Sequence, residues 1–421
     1  MLRDPYAFHA RCVERYGDPY TVRSFNGPVV CTGKPENIRA IFAADPACFG
    51  PWASRALLPM LGQGSVIQLR GEEHRRERAL LGPHFGGARM RAFTEAMHSA
   101  ARAQLHRLEP GREFRAAELA QAISLEVIIR AVMGCQEPRE IDALRAGIQR
   151  FVGCANPLML FAPALQRAPF GLGPWARFLA ARRAFDEQLL AHIARRRAEL
   201  ERGAEPSDIL GAMLASRYED GSPMQDGHVR DELVTLLFAG HETTALAIAW
   251  ALYWIHREPG VRERVRAQLA AAPDDPSHAG YLEAACQESL RLHPIVPDAP
   301  RYVARELELF GVRLPVGAGV TWVSSLAHMD PVLFSEPERF RPERFRERSF
   351  KPWEFLPFGG GARRCLGSAF ALHEMREVLA LLLQECDLEL LDDRPLRARR
   401  RSVTMGPEGG VRMRLASRRA G

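Results

Sequence analysis

Apolar positions along this chain recur mostly at three- and four-residue intervals, with alternation confined to a region near the N-terminus and another after Pro294. The first pattern predicts a mainly α protein and the second adds small β-sheets. Asp4-Pro5 reads as a cap followed by proline at the first helical position, and Gly17 ends that helix. Residues 19–32 alternate and turn at Asn26-Gly27, a hairpin signal. Further helices are predicted over 36–44, 72–81, 88–108, 118–133, 141–151, 175–202, 231–257, 281–292 and 369–379. Residues 301–325 read as strands around Pro315-Val316-Gly317, 330–350 as a proline-rich meander, and 401–415 as a hairpin around 406–410. No internal repeat or low-complexity block appears, so one domain over 1–421 is expected.

Two connections are long and rich in large apolar side chains. Residues 49–71 carry Trp52, Leu57, Leu58, Met60 and Ile67; residues 154–174 carry Leu158, Met159, Leu160, Phe161, Leu165 and Phe170. Loops of this kind either pack on the core or serve a function. Between them, His74 and Arg78 stand four apart and share one helical face.

Residues 231–257 form the longest apolar stretch, closed by Pro259. About 27 residues at 1.5 Å each span about 40 Å. The centre, Ala239-Gly240-His241-Glu242-Thr243-Thr244, interrupts the pattern with poor helix formers and a carboxylate costly to bury. A threonine hydroxyl there can bond back to a carbonyl, bend the helix and open a groove. Local rules broken at one spot suggest function. A membrane helix is disfavoured, because a charge at its centre costs about 3 kcal/mol. With no apolar leader after Met1-Leu2-Arg3, a cytoplasmic protein without a membrane anchor is expected.

Composition changes this picture little. The 421 residues carry a net charge of +6, which raises the question of nucleic acid. Only Lys34 and Lys351 are lysines among the 57 basic residues, however, and 51 acids are interspersed with them. No recognition motif accompanies the charge, so no nucleic-acid partner is expected. The eight cysteines contain no Cys-x-x-Cys pair, which argues against a zinc site or disulfide scaffold.

One cysteine stands apart. In Phe358-Gly359-Gly360-Gly361-Ala362-Arg363-Arg364-Cys365-Leu366-Gly367, three consecutive glycines permit a tight loop against a flat object. A helix-forming run follows, so Cys365 falls at or just before a helix N-terminus, where N–H groups and the helix dipole favour a thiolate. Such a thiolate beside Arg363 suits an axial haem ligand, which pushes electron density onto iron and favours O–O cleavage. A lone cysteine is most often a small buried hydrophobe. Here Phe358, Gly361, Arg363, Cys365 and Gly367 together match one long pattern.

That pattern resembles the haem-binding signature of the cytochrome P450 family, Phe-x-x-Gly-x-Arg-x-Cys-x-Gly. The resemblance implies that Cys365 is the proximal ligand of haem b and that Arg363 reaches a propionate, as would Arg301, His74 and Arg78. It also matches Ala239, Gly240, Glu242 and Thr243 to the family's oxygen-handling helix, with Glu242 and Thr243 relaying protons. Glu288 and Arg291, with Arg344 from Pro342-Glu343-Arg344-Phe345, are implied to form a buried ionic triad. Residues 154–174 would be a lid, and His293-Pro294-Ile295-Val296-Pro297 and Val403-Thr404-Met405 would line the substrate pocket. The likeness covers nearly the whole chain and departs at its start, where relatives usually carry a longer lead; a shortened start and a naturally brief one both fit.

The implied activity is monooxygenation of an apolar small molecule by O2, in a soluble bacterial enzyme. Trp52, Leu57, Phe238, Ile295 and Val296 fit a terpenoid, steroid, fatty acid or polyketide. The chain holds no flavin or iron–sulfur segment, so a ferredoxin or flavodoxin with its reductase is the expected electron source. Arg75, Arg76, Arg346, Arg348, Lys351 and Arg364 could form a basic dish for an acidic partner. Two alternatives are a peroxide-dependent haem-thiolate enzyme, against which the Glu242-Thr243 pair argues, and a non-catalytic haem sensor.

Overall fold

Three helices carry or flank most of the candidate residues: α1 (Asp226–Arg257), α2 (Gly280–Leu292) and α3 (Ser368–Glu385). They belong to a computed structural model that describes residues 4–24, 26–156, 159–160, 162–271, 280–401 and 403–419. The chain divides into two units. The first comprises Met1–Trp52, Met97–Ser124 and Glu242–Gly421; the second comprises Ala53–Ala96 and Leu125–His241.

In the first unit, Asp4 caps the opening helix Pro5–Tyr16 by accepting the Ala7 N–H, and Gly17 closes it with φ 79°. A five-stranded sheet runs in the order Tyr20–Ser24, Gly27–Thr32, Gly319–Trp322, Arg301–Val303, Phe49–Pro51. Its residues Val303, Val320 and Trp322 pack with Ile38, Ile41 and Leu356 into one core cluster. The expected hairpin forms, but Gly27 pairs with Ser24 and so belongs to the second strand rather than to the turn. Asn26 instead donates its side-chain amide to the Trp52 carbonyl at 3.2 Å.

The strands around Pro315-Val316-Gly317 form, as Val312–Leu314 and Gly319–Trp322, but one hairpin is added there and the expected C-terminal one is missing. Between Arg301–Val303 and Gly319–Trp322 the chain makes an extra hairpin, Leu307–Leu309 with Val312–Leu314, turned by Phe310 and Gly311 at φ 57° and 68°. Phe310 is a side chain that rarely takes that conformation, so the turn carried no sequence signal. The C-terminal hairpin around 406–410 does not form. Met405–Pro407 pairs with Ala398–Arg400, whereas Arg412–Arg418 lies between Cys386–Leu390 and Glu113–Arg115. Gly409, Gly410 and Val411 all have positive φ and turn the chain from one sheet into the other. Burial of Met413 and Leu415 favours the central strand position.

The ionic triad forms within this unit. Glu288 accepts from Arg291 at 2.7 and 2.8 Å and from Arg344 at 3.0 Å, and all three side chains are buried. Arg291 also donates to the His328 carbonyl, and Arg344 to that of Ser335. Through Arg344 the irregular 330–350 meander is thereby tied to α2.

The second unit is helical. Residues 49–71 are not a plain loop: Ser54–Leu61 is a helix with Pro59 inside it. Predicted 72–81 is Gly71–Leu81, and 88–108 is a 3₁₀ segment, Gly87–Phe93, followed by Thr94–Leu105, which crosses into the first unit. Predicted 118–133 is Ala116–Val127, extended by a π segment, Ile128–Val132, where the Met133 N–H bonds the Ile128 carbonyl. Helices Pro138–Cys154 and Pro174–Glu201 follow the remaining periods closely. A short helix, Ile209–Ala215, capped by Asp208, had no periodic signal. Helix α1 starts five residues earlier than expected and stays helical through 239–244; its residues to His241 belong to the second unit and those from Glu242 to the first.

Candidate functional site

The glycine loop is shaped by two aromatic side chains that the sequence did not single out. Gly359 and Gly361 have φ 62° and 65°, which disfavour any residue with a Cβ. A Cβ on Gly360 would fall 2.2 Å from the Phe42 ring, and one on Gly359 3.0 Å from the Trp322 ring. The chain then makes one 3₁₀ turn, Gly361–Arg363, and the Cys365 N–H bonds back to the Phe358 carbonyl at 3.0 Å. Gly367 is the N-cap of α3, so Cys365 stands two residues ahead of the cap. Of the eight cysteines, Cys365 is exposed, two are half-buried and five are buried. Burial pushes the thiols of Cys286 and Cys135 up to about 12, which makes those two inert by comparison.

Arg301 lies behind this loop. It is 5% exposed and sits among the rings of Phe42, Phe49 and Trp322, with its guanidinium carbon 5.2 to 5.5 Å from their centroids. It donates to the Gly360 carbonyl at 2.9 Å and the Ile41 carbonyl at 3.3 Å, while Nε has no partner. Burial, then the Arg363 charge, pushes it down to about 10. A buried cation with a second guanidinium acting on it and an orphan N–H suits an anionic group. Haem fits this donor set: a flat apolar ring for the glycine loop, carboxylates for the two arginines and iron for the exposed sulfur.

His74 and Arg78 lie in the second unit on helix Gly71–Leu81, His74 buried and Arg78 half-buried. Their spacing of four places them on one face, as expected. On α1, Glu242 and Thr243 are half-buried, and the buried His241 bonds the Leu237 carbonyl at 2.7 Å. Gly240 has a packing reason: its Cβ would lie 3.0 Å from Ile128 of the π segment, a segment type often found at functional sites.

Within the first unit, three stretches singled out in the sequence meet. The Thr404 hydroxyl donates to Glu242 Oε1 at 3.5 Å, and the Met405 N–H donates to the Ile295 carbonyl at 2.8 Å. Thr404, Met405 and Ile295 are buried. In the 154–174 connection, Met159 and Leu160 are buried, whereas Leu165 and Phe170 are exposed; Leu158 and Phe161 lie outside the described residues.

Sequence reasoning passed over several buried acids, among them Glu374 on α3. Neither of its oxygens has a hydrogen bond of ordinary geometry, and burial pushes its carboxyl up to about 8. A signal existed: it falls at the four-residue spacing between the buried Phe370 and Val378.

A family model described as Cytochrome P450 matches residues 3–411. Cytochrome P450 135B1 of Mycobacterium tuberculosis is 34% identical over 424 residues, covering 100% of this chain and 89% of its own. Cytochrome P450 135A1 of the same organism is 33% identical over 415 residues, with coverage of 96% and 89%. Among solved structures, the retinoic acid-bound cyanobacterial CYP120A1 superposes with a TM-score of 0.83 at 26% identity, covering 98% of this chain and 94% of that one.

Proposed function

The chain belongs to the cytochrome P450 family, and from that premise we propose that Cys365 supplies the thiolate to its haem iron. Membership makes the protein a haem-thiolate monooxygenase, an oxidoreductase that uses O2 and electrons from redox partner proteins. The observation that carries the assignment is the exposed Cys365 on a glycine loop, backed by a buried arginine with an orphan N–H. When bound, haem supplies dioxygen binding and reductive O–O cleavage.

The chain's own residues then have separate tasks. Phe358, Gly361 and Gly367 fix the path of the loop that presents the sulfur. Arg301 and Arg363 neutralise propionates, and His74 and Arg78 serve the same end. Glu242 and Thr243 hold and pass protons on α1; the Thr404 hydroxyl orients the Glu242 carboxyl.

The substrate in this reading is an apolar small molecule of the terpenoid, steroid, fatty acid or polyketide class. Buried Ile295 and Met405 support it, and the retinoic acid bound to CYP120A1 is of similar chemistry. Electrons come from a ferredoxin or flavodoxin docking on Arg346, Lys351 and Arg364, which are exposed and in no ion pair among the described residues. Arg348 is paired with Glu354, and in the second unit Arg75 and Arg76 are paired with Glu72 and Asp220, so these three contribute less. A cytoplasmic location accords with α1: it is long and apolar enough to cross a membrane, but 67% of its apolar window is buried.

The test is the absorption of the reduced, CO-bound protein. Wild type should show the thiolate band. Cys365→Ser should lose that band, whereas Cys154→Ser should keep it. A thiolate band that survives Cys365→Ser would overturn the assignment.

A further inference from the structure

Strand Met405–Pro407 of the first unit touches two partners at once. Toward α1, the Thr404 hydroxyl donates to Glu242 Oε1 at 3.5 Å. A Cβ on Gly406 would fall 2.8 Å from the Leu246 side chain, so the strand lies directly on the helix. Toward residues 294–298, the Met405 N–H donates to the Ile295 carbonyl at 2.8 Å. The neighbouring strand, Ala398–Arg400, brings a second contact to the same stretch, because Arg400 Nη2 lies 3.6 Å from Asp298 Oδ2. Arg400 stands opposite Met405 in the ladder. One cross-strand pair therefore grips residues 294–298 at two points, Ile295 through the backbone and Asp298 through charge.

The charged contact is shielded. The Asp298 side chain is 14% exposed and that of Arg400 20%. Asp298 Oδ2 and Arg400 Nε and Nη2 are buried atoms without a hydrogen bond of ordinary geometry. Burial raises the Asp298 carboxyl, and the Arg400 charge acts against that rise. Among the described residues, Asp298 is the one acid in an ion pair with Arg400. His9 of the opening helix has its Nε2 3.9 Å from Asp298 Oδ2. Its Nδ1 is committed to the Tyr20 hydroxyl at 2.6 Å, and burial pushes it down to about 4, so it brings no charge at neutral pH.

The remaining ties of the stretch are to its own backbone. The Pro294 carbonyl accepts the Tyr6 hydroxyl at 2.9 Å, and the Pro297 carbonyl accepts the Ser324 N–H at 2.9 Å. These fix where residues 294–298 run. The Arg400–Asp298 pair fixes how closely the two strands lie against them. An exposed pair would contribute little, but removing one partner of a shielded pair leaves a charge that must be rehydrated. Separating the strands from the stretch is the movement that admits the water.

We propose that Arg400 and Asp298 are positioning residues for substrate selection: the pair clamps strands Ala398–Arg400 and Met405–Pro407 to residues 294–298 and so sets how closely Ile295 and Met405 approach each other. A site is as precise as the contacts that hold its lining in place. The role in selection rests on the reading that Ile295 and Met405 line the pocket; the clamp itself does not.

Hydrogen exchange at the Met405 amide of the haem-loaded chain reads the clamp, and optical titration with imidazole and with phenylimidazole reads the pocket wall. Arg400→Met and Asp298→Asn should each raise exchange at that amide about tenfold, and the double variant no further, because both remove the same pair. Arg400→Lys, which keeps the cation, should restore most of the protection. Arg399→Met, which removes an exposed partner of Glu408, should exchange as wild type does. In Arg400→Met, phenylimidazole should bind about fivefold more weakly while imidazole, too small to meet the wall, binds as in wild type. Wild-type exchange in both single variants, or additive effects in the double variant, would overturn the clamp. Lost protection with both ligands bound as in wild type would instead overturn the pocket reading, and the selection role with it. Should Arg400→Met fail to fold, Asp298→Asn and Arg400→Lys decide, by the same two readouts.

Discussion

Glutamine at position 374 should change how the stability of this protein depends on pH. Glu374 is 1% exposed on α3, and neither oxygen is hydrogen-bonded. Burial raises its carboxyl from 4.5 to about 8; the Ser124 hydroxyl beside it pulls weakly the other way. The unfolded chain therefore releases this proton several pH units before the folded one does. Its contribution to stability is complete below about pH 4.5 and is lost as the pH rises to about 8. A gap of about 3.5 units, at 1.36 kcal/mol each, corresponds to about 5 kcal/mol. With an unfolding entropy of about 2 cal/mol/K per residue, that is about 5 °C in Tm for a chain of this length. Glutamine keeps the shape and removes the ionisation. Melting of haem-loaded wild type and Glu374→Gln, followed by far-UV circular dichroism from pH 5 to 9, gives a difference in which all other titrations cancel. The variant should gain about 5 °C on wild type across that range. A difference that stays constant from pH 5 to 9 would refute the reasoning.

Other perturbations follow from the same geometry. Arg344→Met breaks a buried network and should cost about 3–5 kcal/mol, read as a lower urea midpoint; Arg346→Met on the surface should leave the midpoint unchanged. Gly360→Ala puts a methyl group against Phe42 and should lower haem content per chain, with Phe42→Leu restoring part of it in a double-mutant cycle. Arg301→Met removes the donors to the Gly360 and Ile41 carbonyls and should weaken haem retention during dialysis, while Arg305→Met should not. Glu242→Gln should lower product formation on the order of 10²-fold while leaving the CO-bound spectrum as in wild type.

The helices were largely legible because their apolar periods are long and their ends are marked, as at Asp4-Pro5, Gly17 and Pro259. What failed was local and had a physical cause. The helix Ser54–Leu61 was hidden by Pro59, which reads as a breaker. The extra hairpin was hidden because Phe310 occupies a conformation that sequence assigns to glycine or asparagine. The C-terminal hairpin was misread because a glycine-rich turn says that the chain reverses, not which strand it then joins.

The candidate site divides along the same line. The cysteine loop was readable as a string because its requirements are local: glycines at positive φ and a cysteine just before a helix. The acids were less so: the family resemblance placed Glu288 in its triad, but Glu374 was not singled out, because the consequence of burying a carboxyl depends on what the fold brings to it. Glu288 and Glu374 both lie on inward helical faces among apolar neighbours. Glu288 meets Arg291, Arg344 and the Arg341 N–H, so every one of its oxygens has a donor. Glu374 meets only a serine that bonds neither oxygen. One side chain is therefore a structural anion, whose loss of a partner is costly, and the other an uncompensated acid, whose replacement should stabilise the fold at alkaline pH. The arginines that decide between these outcomes come from positions up to 56 residues away in the chain, so no local pattern around the acid distinguishes them.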